Sequence, residues 1–263
     1  MSFEYAPRGF VGILTPQANT TVEPECGILL PAGIGLVNAR LASAKPAMEE
    51  RLVDYFDKLP ASLSQFADAP LRAVGVACTG SSYLAGRERE DALFQQLSHR
   101  LGIHVTSSAL AVVDALHALD ARRIGLVSPY PESLLQQSIA YWRSRGFAVE
   151  AVAKVIATGK DHERSGSAHP VYALGSEAVV EALATLRGKS ADAIVLLGTG
   201  MPSLKSILQV PIMEGAPVMS CTLALAWRCV RALEGATCSA ESLLEWIAAK
   251  HWKTRWQERC AAT

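Results

Sequence analysis

The sequence predicts an α/β protein of two pseudo-symmetric halves, each a four-stranded parallel sheet flanked by helices, with the functional site in the cleft between them. Three observations lead there. Short runs rich in Val, Ile and Leu alternate with longer segments of helical period, as when a parallel sheet is covered by helices on both faces. The length of 263 residues accommodates two halves of roughly 110 to 120 residues each. The third is a long internal repeat: Val11-Gly12-Ile13-Leu14-Thr15-Pro16 and Ile124-Gly125-Leu126-Val127-Ser128-Pro129 share the order apolar, Gly, two apolars, hydroxyl, Pro, at an offset of 113.

The first half is expected over residues 1–112, with strands at 10–14, 35–40, 73–77 and 104–107, and the second over residues 113–222, with strands at 124–127, 149–156, 193–197 and 217–220. The repeat keeps its register further on, where Val105-Thr106-Ser107-Ser108-Ala109-Leu110 matches Val218-Met219-Ser220-Cys221-Thr222-Leu223, again 113 residues apart. Between these landmarks Cys78-Thr79-Gly80 parallels Gly198-Thr199-Gly200 at an offset of 120. Gly, Ser and Thr are common at strand-to-helix junctions, so chance is the competing explanation; three landmarks in one order favour duplication of a half-domain. The connection between halves is placed near residues 109–121, and the last helices, about 223–263, are expected to pack back on the first half.

Lys plus Arg and Asp plus Glu number 25 each, leaving no bulk field to attract nucleic acid or an anionic membrane. The opening residues lack the basic, apolar and small sequence of a signal peptide, and no run of about 18 apolar residues occurs, so a cytoplasmic protein is expected. A homo-oligomer is compatible with this composition. Six scattered cysteines without C-x-x-C argue against a disulfide scaffold or a zinc site. Gly198-x-Gly200 lacks the third glycine of a dinucleotide fingerprint, having Ser203 instead, and no Walker A, H-E-x-x-H or G-x-S-x-G sequence is present. No cofactor and no metal are expected.

Ligands of parallel α/β sheets bind outside the carboxyl ends of the strands. Four segments stand there, at residues 15–22, 78–86, 128–133 and 198–203, rich in Gly, Ser, Thr and Asn and poor in charge. Backbone N–H groups and hydroxyls of this kind suit carboxylate or enolate oxygens. Cys78 ends the apolar run Val74-Gly75-Val76-Ala77 and precedes Thr79-Gly80-Ser81-Ser82, a place where a thiol pKa can be lowered and the thiolate kept accessible; a small, half-buried apolar residue is the alternative. Cys221 follows a strand but has Ser108 as its repeat partner, which suits a supporting or core position. Tyr130 after Ser128-Pro129 is either a substrate-facing phenol or part of a capped turn. His162 and His169 fall in the polar segment 158–170, long enough for a mobile loop over the cleft.

The run Gly12-Ile13-Leu14-Thr15-Pro16-Gln17-Ala18-Asn19-Thr20-Thr21-Val22-Glu23 resembles the opening segment of the maleate cis-trans isomerases, which with the arylmalonate decarboxylases form a branch of the aspartate/glutamate racemase superfamily. Cys78-Thr79-Gly80-Ser81-Ser82 is similar to that branch's first catalytic cysteine motif, Ser128-Pro129-Tyr130 to its substrate-binding tyrosine segment, and residues 217–227 to its strand and helix ending in A-x-x-W. The resemblance implies a cofactor-independent enzyme acting on a small carboxylic acid. It also implies a thiol from each half facing opposite sides of the substrate; here the second position is Gly198. One thiol suffices for addition to a double bond, rotation and elimination, but not for two-base racemisation. The resemblance assigns Cys78 as nucleophile or proton donor and Pro16, Asn19, Thr79, Gly80, Tyr130, Gly198, Thr199 and Gly200 to substrate binding, with His162 as the group that contacts a carboxylate or replaces the missing proton handler. Isomerisation is favoured by Asn19-Thr20-Thr21 and decarboxylation by Gly198. A non-catalytic two-lobed binder of small acids is the alternative of another class.

Overall fold

The computed structural model describes residues 3–157, 159, 161, 163 and 169–260. In chain order the first sheet comprises β1 (Gly9–Pro16), β2 (Ile34–Leu41), β3 (Leu71–Val76) and β4 (His104–Ser107), with helices α1 (Val22–Leu29), α2 (Met48–Asp57), α3 (Leu59–Ser62), α4 (Thr79–Ala85) and α5 (Arg87–Leu101) between them. Helix α6 (Ser108–Ala118) then leads to β5 (Arg123–Ser128), α7 (Glu132–Ser144), β6 (Ala148–Lys154), α8 (Ser176–Ala184), β7 (Ala193–Leu196), α9 (Leu204–Gln209), β8 (Ile212–Met213) and β9 (Ala216–Ser220). The chain closes with α10 (Cys221–Leu233), α11 (Ala240–Ile247) and α12 (Lys253–Cys260).

The strand orders are β2-β1-β3-β4 and β6-β5-β7-β9-β8, so the first four strands of each sheet, counted from one edge, have equivalent topology. All pairings are parallel except β8 with β9. The antiparallel edge strand corrects the expectation of four parallel strands in the second half. It arises from a two-residue turn at Glu214 and Gly215, both at positive φ (49° and 90°), the geometry that matches the twist of a tight hairpin.

The repeat noted in the sequence has a visible structural meaning. Strand β5 ends at Ser128, just before Pro129, and β1 ends on Pro16 itself, so in both central strands a proline stands where the ladder stops, at the same end of each sheet, as expected of a residue with no N–H to donate. Ser107 and Ser220 accept from the backbone N–H of Leu110 (2.9 Å) and Leu223 (3.1 Å), capping the helix that leaves each sheet. Residues 109–121 are not an open linker: most of them form α6. Helix α10 is apolar almost all round, with ten buried residues including Trp227, as expected of a helix enclosed on several sides. It lies against α1, α6, β1, β3 and β4, and the ion pair between Arg228 and Asp114 (2.6 Å) joins it to α6. No helix among the described residues is long and apolar enough to cross a membrane.

Candidate active site

The loops after β1, β3, β5 and β7 meet around a cavity of about 380 Å³. Its lining brings together Pro16, Asn19, Cys78, Thr79, Gly80, Tyr130, Gly198, Thr199 and Gly200, every sequence candidate except His162, which lies outside the described residues. The two halves are tied across the cleft by short hydrogen bonds: Thr21 Oγ1 donates to the Gly200 carbonyl (2.7 Å), Thr199 Oγ1 to the Ala77 carbonyl (2.7 Å), and Thr79 Oγ1 and Tyr130 Oη are 2.8 Å apart.

Cys78 follows the end of β3 by two residues and is the residue from which α4 starts. Its side chain lines the cavity while being only 4% exposed overall. The Ser81 hydroxyl donates to Sγ at 2.9 Å. Burial pushes the thiol pKa up, and the Ser81 hydroxyl together with the N–H groups of Ser81 and Gly80 opposes that rise without cancelling it. The expectation that this turn lowers the thiol pKa is therefore corrected: desolvation outweighs the donors, and the thiol is the resting form at neutral pH.

Asn19 is fixed by its carbonyl oxygen, which accepts from the N–H groups of Thr21 (2.8 Å) and Val22 (3.2 Å) at the start of α1. With Oδ1 committed, Nδ2 faces the other way, towards Thr199 Oγ1 (3.4 Å) and the cavity. The Thr199 hydroxyl proton is already given to Ala77, so this side chain supports Asn19 rather than offering a donor to a ligand. Tyr130 unites both sequence alternatives: its N–H donates to Ser128 Oγ (3.2 Å), closing the turn, and its phenol lines the cavity. Burial holds that phenol well above its usual pKa, hence neutral.

Gly198 has φ of +84°, and a Cβ there would stand 3.2 Å from Tyr130 Oη and 3.5 Å from Pro129 Cγ. At Gly200 a Cβ would meet Tyr172 Cε1 at 2.6 Å. Both glycines allow aromatic side chains to close on the loop after β7. Behind it, Ser203 donates from its N–H (2.6 Å) and its hydroxyl (3.0 Å) to Oε1 of the buried Glu25, whose pKa is pushed up to about 7 by burial despite these donors.

Of the remaining walls the sequence singles out only His169, in the segment expected over the cleft. Arg51, Leu52 and Tyr55 come from α2, Leu134 from α7, and Val155, His169, Tyr172 and Leu174 from the segment after β6. Arg51 carries the only fixed positive charge among the described lining residues, and its Nη1 is held by the carbonyls of Lys45 (3.3 Å) and Pro46 (2.5 Å). Cys26, Cys221 and Cys229 are buried and do not line the cavity, although Cys221 sits directly behind its wall, hydrogen-bonded to Gly198 and Thr79; burial raises the pKa of Cys221 and Cys229 to about 12. The cavity thus combines one thiol, several neutral donors, one rim cation and an apolar flank, a chemistry suited to a small carboxylic acid.

Comparison with known proteins gives the same picture. The maleate isomerase of Geobacillus stearothermophilus is 26% identical over 239 residues, covering 85% of this chain and 91% of its own length. That of Nocardia farcinica is 28% identical over 239 residues, covering 85% and 90%. A solved structure of a mutant of the Nocardia farcinica maleate cis-trans isomerase, with a covalently bound succinylcysteine intermediate, superimposes with a TM-score of 0.74 at 25% identity, over 90% of this chain and 98% of that one. The family model described as arylmalonate decarboxylase matches residues 11–243, which takes in all but the first two residues of the sheets and every described wall of the cavity, and the chain belongs to that family.

Proposed function

We propose that this protein is a cofactor-independent cis-trans isomerase of a small unsaturated dicarboxylic acid, working through Cys78. The observation that carries the proposal is that, among the described residues, Cys78 is the one thiol lining a cavity whose other donors, Arg51 apart, are neutral. The relatives that cover most of the chain are maleate isomerases, and one of them holds a succinyl group on cysteine.

The chemistry follows from the constellation. A carboxylate settles against Asn19 Nδ2, the Tyr130 hydroxyl and backbone N–H groups of the loops carrying Thr79, Gly80, Thr199 and Gly200, with Arg51 for the second carboxylate. The Cys78 thiol gives its proton to solvent water, the thiolate Sγ adds to one alkene carbon as the π electron pair moves onto the other carbon and its carboxylate, and the Ser81 hydroxyl stabilises the sulfur before attack and again as it leaves. The new carbon–carbon single bond rotates, elimination of sulfur restores the double bond, and the product is the trans acid. Ser81 and the α4 backbone help this step most where they bind ionised sulfur better than the thiol.

Decarboxylation of a substituted malonate, with Cys78 as the proton donor to the enediolate, is the second proposal. The family match and the lack of a second cavity thiol favour it. Proton NMR in deuterated water with maleate and with an arylmalonate separates the two. Fumarate from maleate supports isomerisation, and a deuterated monoacid from the malonate supports decarboxylation. Tight binding of both without any product or deuterium exchange would replace both by a small-acid binder.

A further inference from the structure

Cys78 and Gly198 are equivalent points of the two halves. Strands β3 and β7 take the same place in their sheets. Just beyond them Ala77 N–H donates to the Leu14 carbonyl (2.9 Å) and Leu197 N–H to the Val127 carbonyl (2.8 Å), Leu14 and Val127 being partners in the repeat. The next residues, Cys78 and Gly198, therefore approach the cavity from related directions in the opposing halves, yet only the first has a side chain. The space that a side chain at 198 would enter is occupied by the Tyr130 phenol, whose oxygen lies 3.2 Å from the ideal Cβ position and whose Cζ lies at 3.4 Å. The same oxygen is 2.8 Å from Thr79 Oγ1, the residue adjoining Cys78. Among the described residues no other thiol lines the cavity: the Cys221 sulfur donates to the Leu196 carbonyl (3.4 Å) and is hydrogen-bonded to the Gly198 backbone and the Thr79 side chain, behind the wall rather than in the lining.

Addition of sulfur to one alkene carbon leaves the neighbouring carbon basic, and a positioned acid must protonate it if the adduct is to persist through rotation. We infer that the Tyr130 hydroxyl is the proton donor and acceptor opposite Cys78, a catalytic role that rests on the addition and elimination mechanism proposed above. As the sulfur–carbon bond forms, the π electron pair moves onto the neighbouring carbon and its carboxylate. The Tyr130 O–H bond breaks, its proton goes to that carbon, and the phenolate keeps the electron pair, supported by the Thr79 hydroxyl. After rotation the phenolate removes a proton from the same carbon, the pair re-forms the double bond, and the carbon–sulfur bond breaks with its electrons returning to Cys78. Nothing is oxidised or consumed. Burial keeps the phenol neutral between turnovers, so it enters each cycle as an acid.

The test compares the native protein with Tyr130→Phe, which retains the ring and its edge contact with Tyr83. Maleate turnover is followed by NMR and binding of unreactive succinate by calorimetry. Tyr130→Phe is expected to lower kcat by about 10²- to 10⁴-fold while weakening succinate binding by less than that, about ten- to hundredfold at most, the worth of one hydrogen bond to a charged group. A variant with 3,5-difluorotyrosine at position 130, a more acidic phenol, is expected to show a new descending limb in its kcat–pH profile. Retention of kcat within tenfold in Tyr130→Phe, a loss of succinate affinity equal to the loss of kcat, or an unchanged profile in the fluorinated protein would each overturn the inference. Failure of the native protein to isomerise maleate would instead overturn the mechanism beneath it, a separate outcome.

Discussion

Replacing Gly198 by cysteine would give the second half a thiol at the point equivalent to Cys78, and the geometry sets the consequence. The backbone there has φ of +84°, a conformation costing a residue with a Cβ about 1–2 kcal/mol. The new Cβ would sit 3.2 Å from Tyr130 Oη, so the phenol must retreat and weaken its 2.8 Å bond to Thr79, about another 1 kcal/mol. The variant is therefore expected to lose about 2–3 kcal/mol, a fall of roughly 4–12 °C in Tm. It should also be a slower enzyme despite its extra thiol, because the added side chain displaces the proposed proton donor. Gly198→Ala should show the same loss of stability without the thiol. Urea unfolding, calorimetry and maleate turnover read all three quantities. A Gly198→Cys protein as stable as the native one and more active would refute the claim that Tyr130 holds this space.

Other expectations follow from the same site. Since burial holds the Cys78 thiol above the ordinary range, its alkylation by iodoacetamide should accelerate steadily with rising pH through neutrality, and succinate should protect it; a rate that levels off below pH 7 would contradict this. The buried Glu25 has a pKa raised from 4.5 to about 7. Below pH 4.5 it is protonated in both folded and unfolded chains, but between about 4.5 and 7 the unfolded chain ionises first. It should therefore contribute a loss of up to about 3 kcal/mol in stability as the pH rises through that window, and none beyond it. Urea unfolding of Glu25→Gln across that range should show a flatter profile than the native protein; equal slopes would refute the assignment. Replacing Arg51 by Met should raise KM for a dicarboxylate more than for a monocarboxylate, and equal changes would remove it from substrate binding.

Much of this architecture could be read from local pattern because it is written twice. The apolar-Gly-apolar-apolar-hydroxyl-Pro segments mark two central strands ending at one rim, and the serines at 107 and 220 announce the helices that follow. The site candidates were legible for the same reason, since each stands where a strand gives way to a loop. What was not legible depends on distance in the chain. Leu52 and Tyr55 lie on a helix whose apolar residues look like ordinary core, and Tyr172 follows a polar segment with no periodic signal. The hairpin that adds β8 uses Glu214-Gly215 rather than Asn-Gly or Asp-Gly, so its turn is quiet in sequence. The approach of Tyr130 to Gly198 spans two loops and only the folded backbone reveals it. The Cys78 thiol was expected to be more acidic because local donors are visible in sequence, whereas the desolvation that outweighs them comes from the closed cleft.

The central claim is that Cys78 bonds covalently to the substrate. Native protein mixed with maleate, quenched with acid within the first turnovers and digested, should yield the Cys78 peptide heavier by one maleate, with fumarate accumulating in solution. Cys78→Ser should yield neither, with turnover at least about 10³-fold lower and succinate binding retained. Fumarate formation that persists in Cys78→Ser, or native turnover without any adduct on Cys78, would contradict the account.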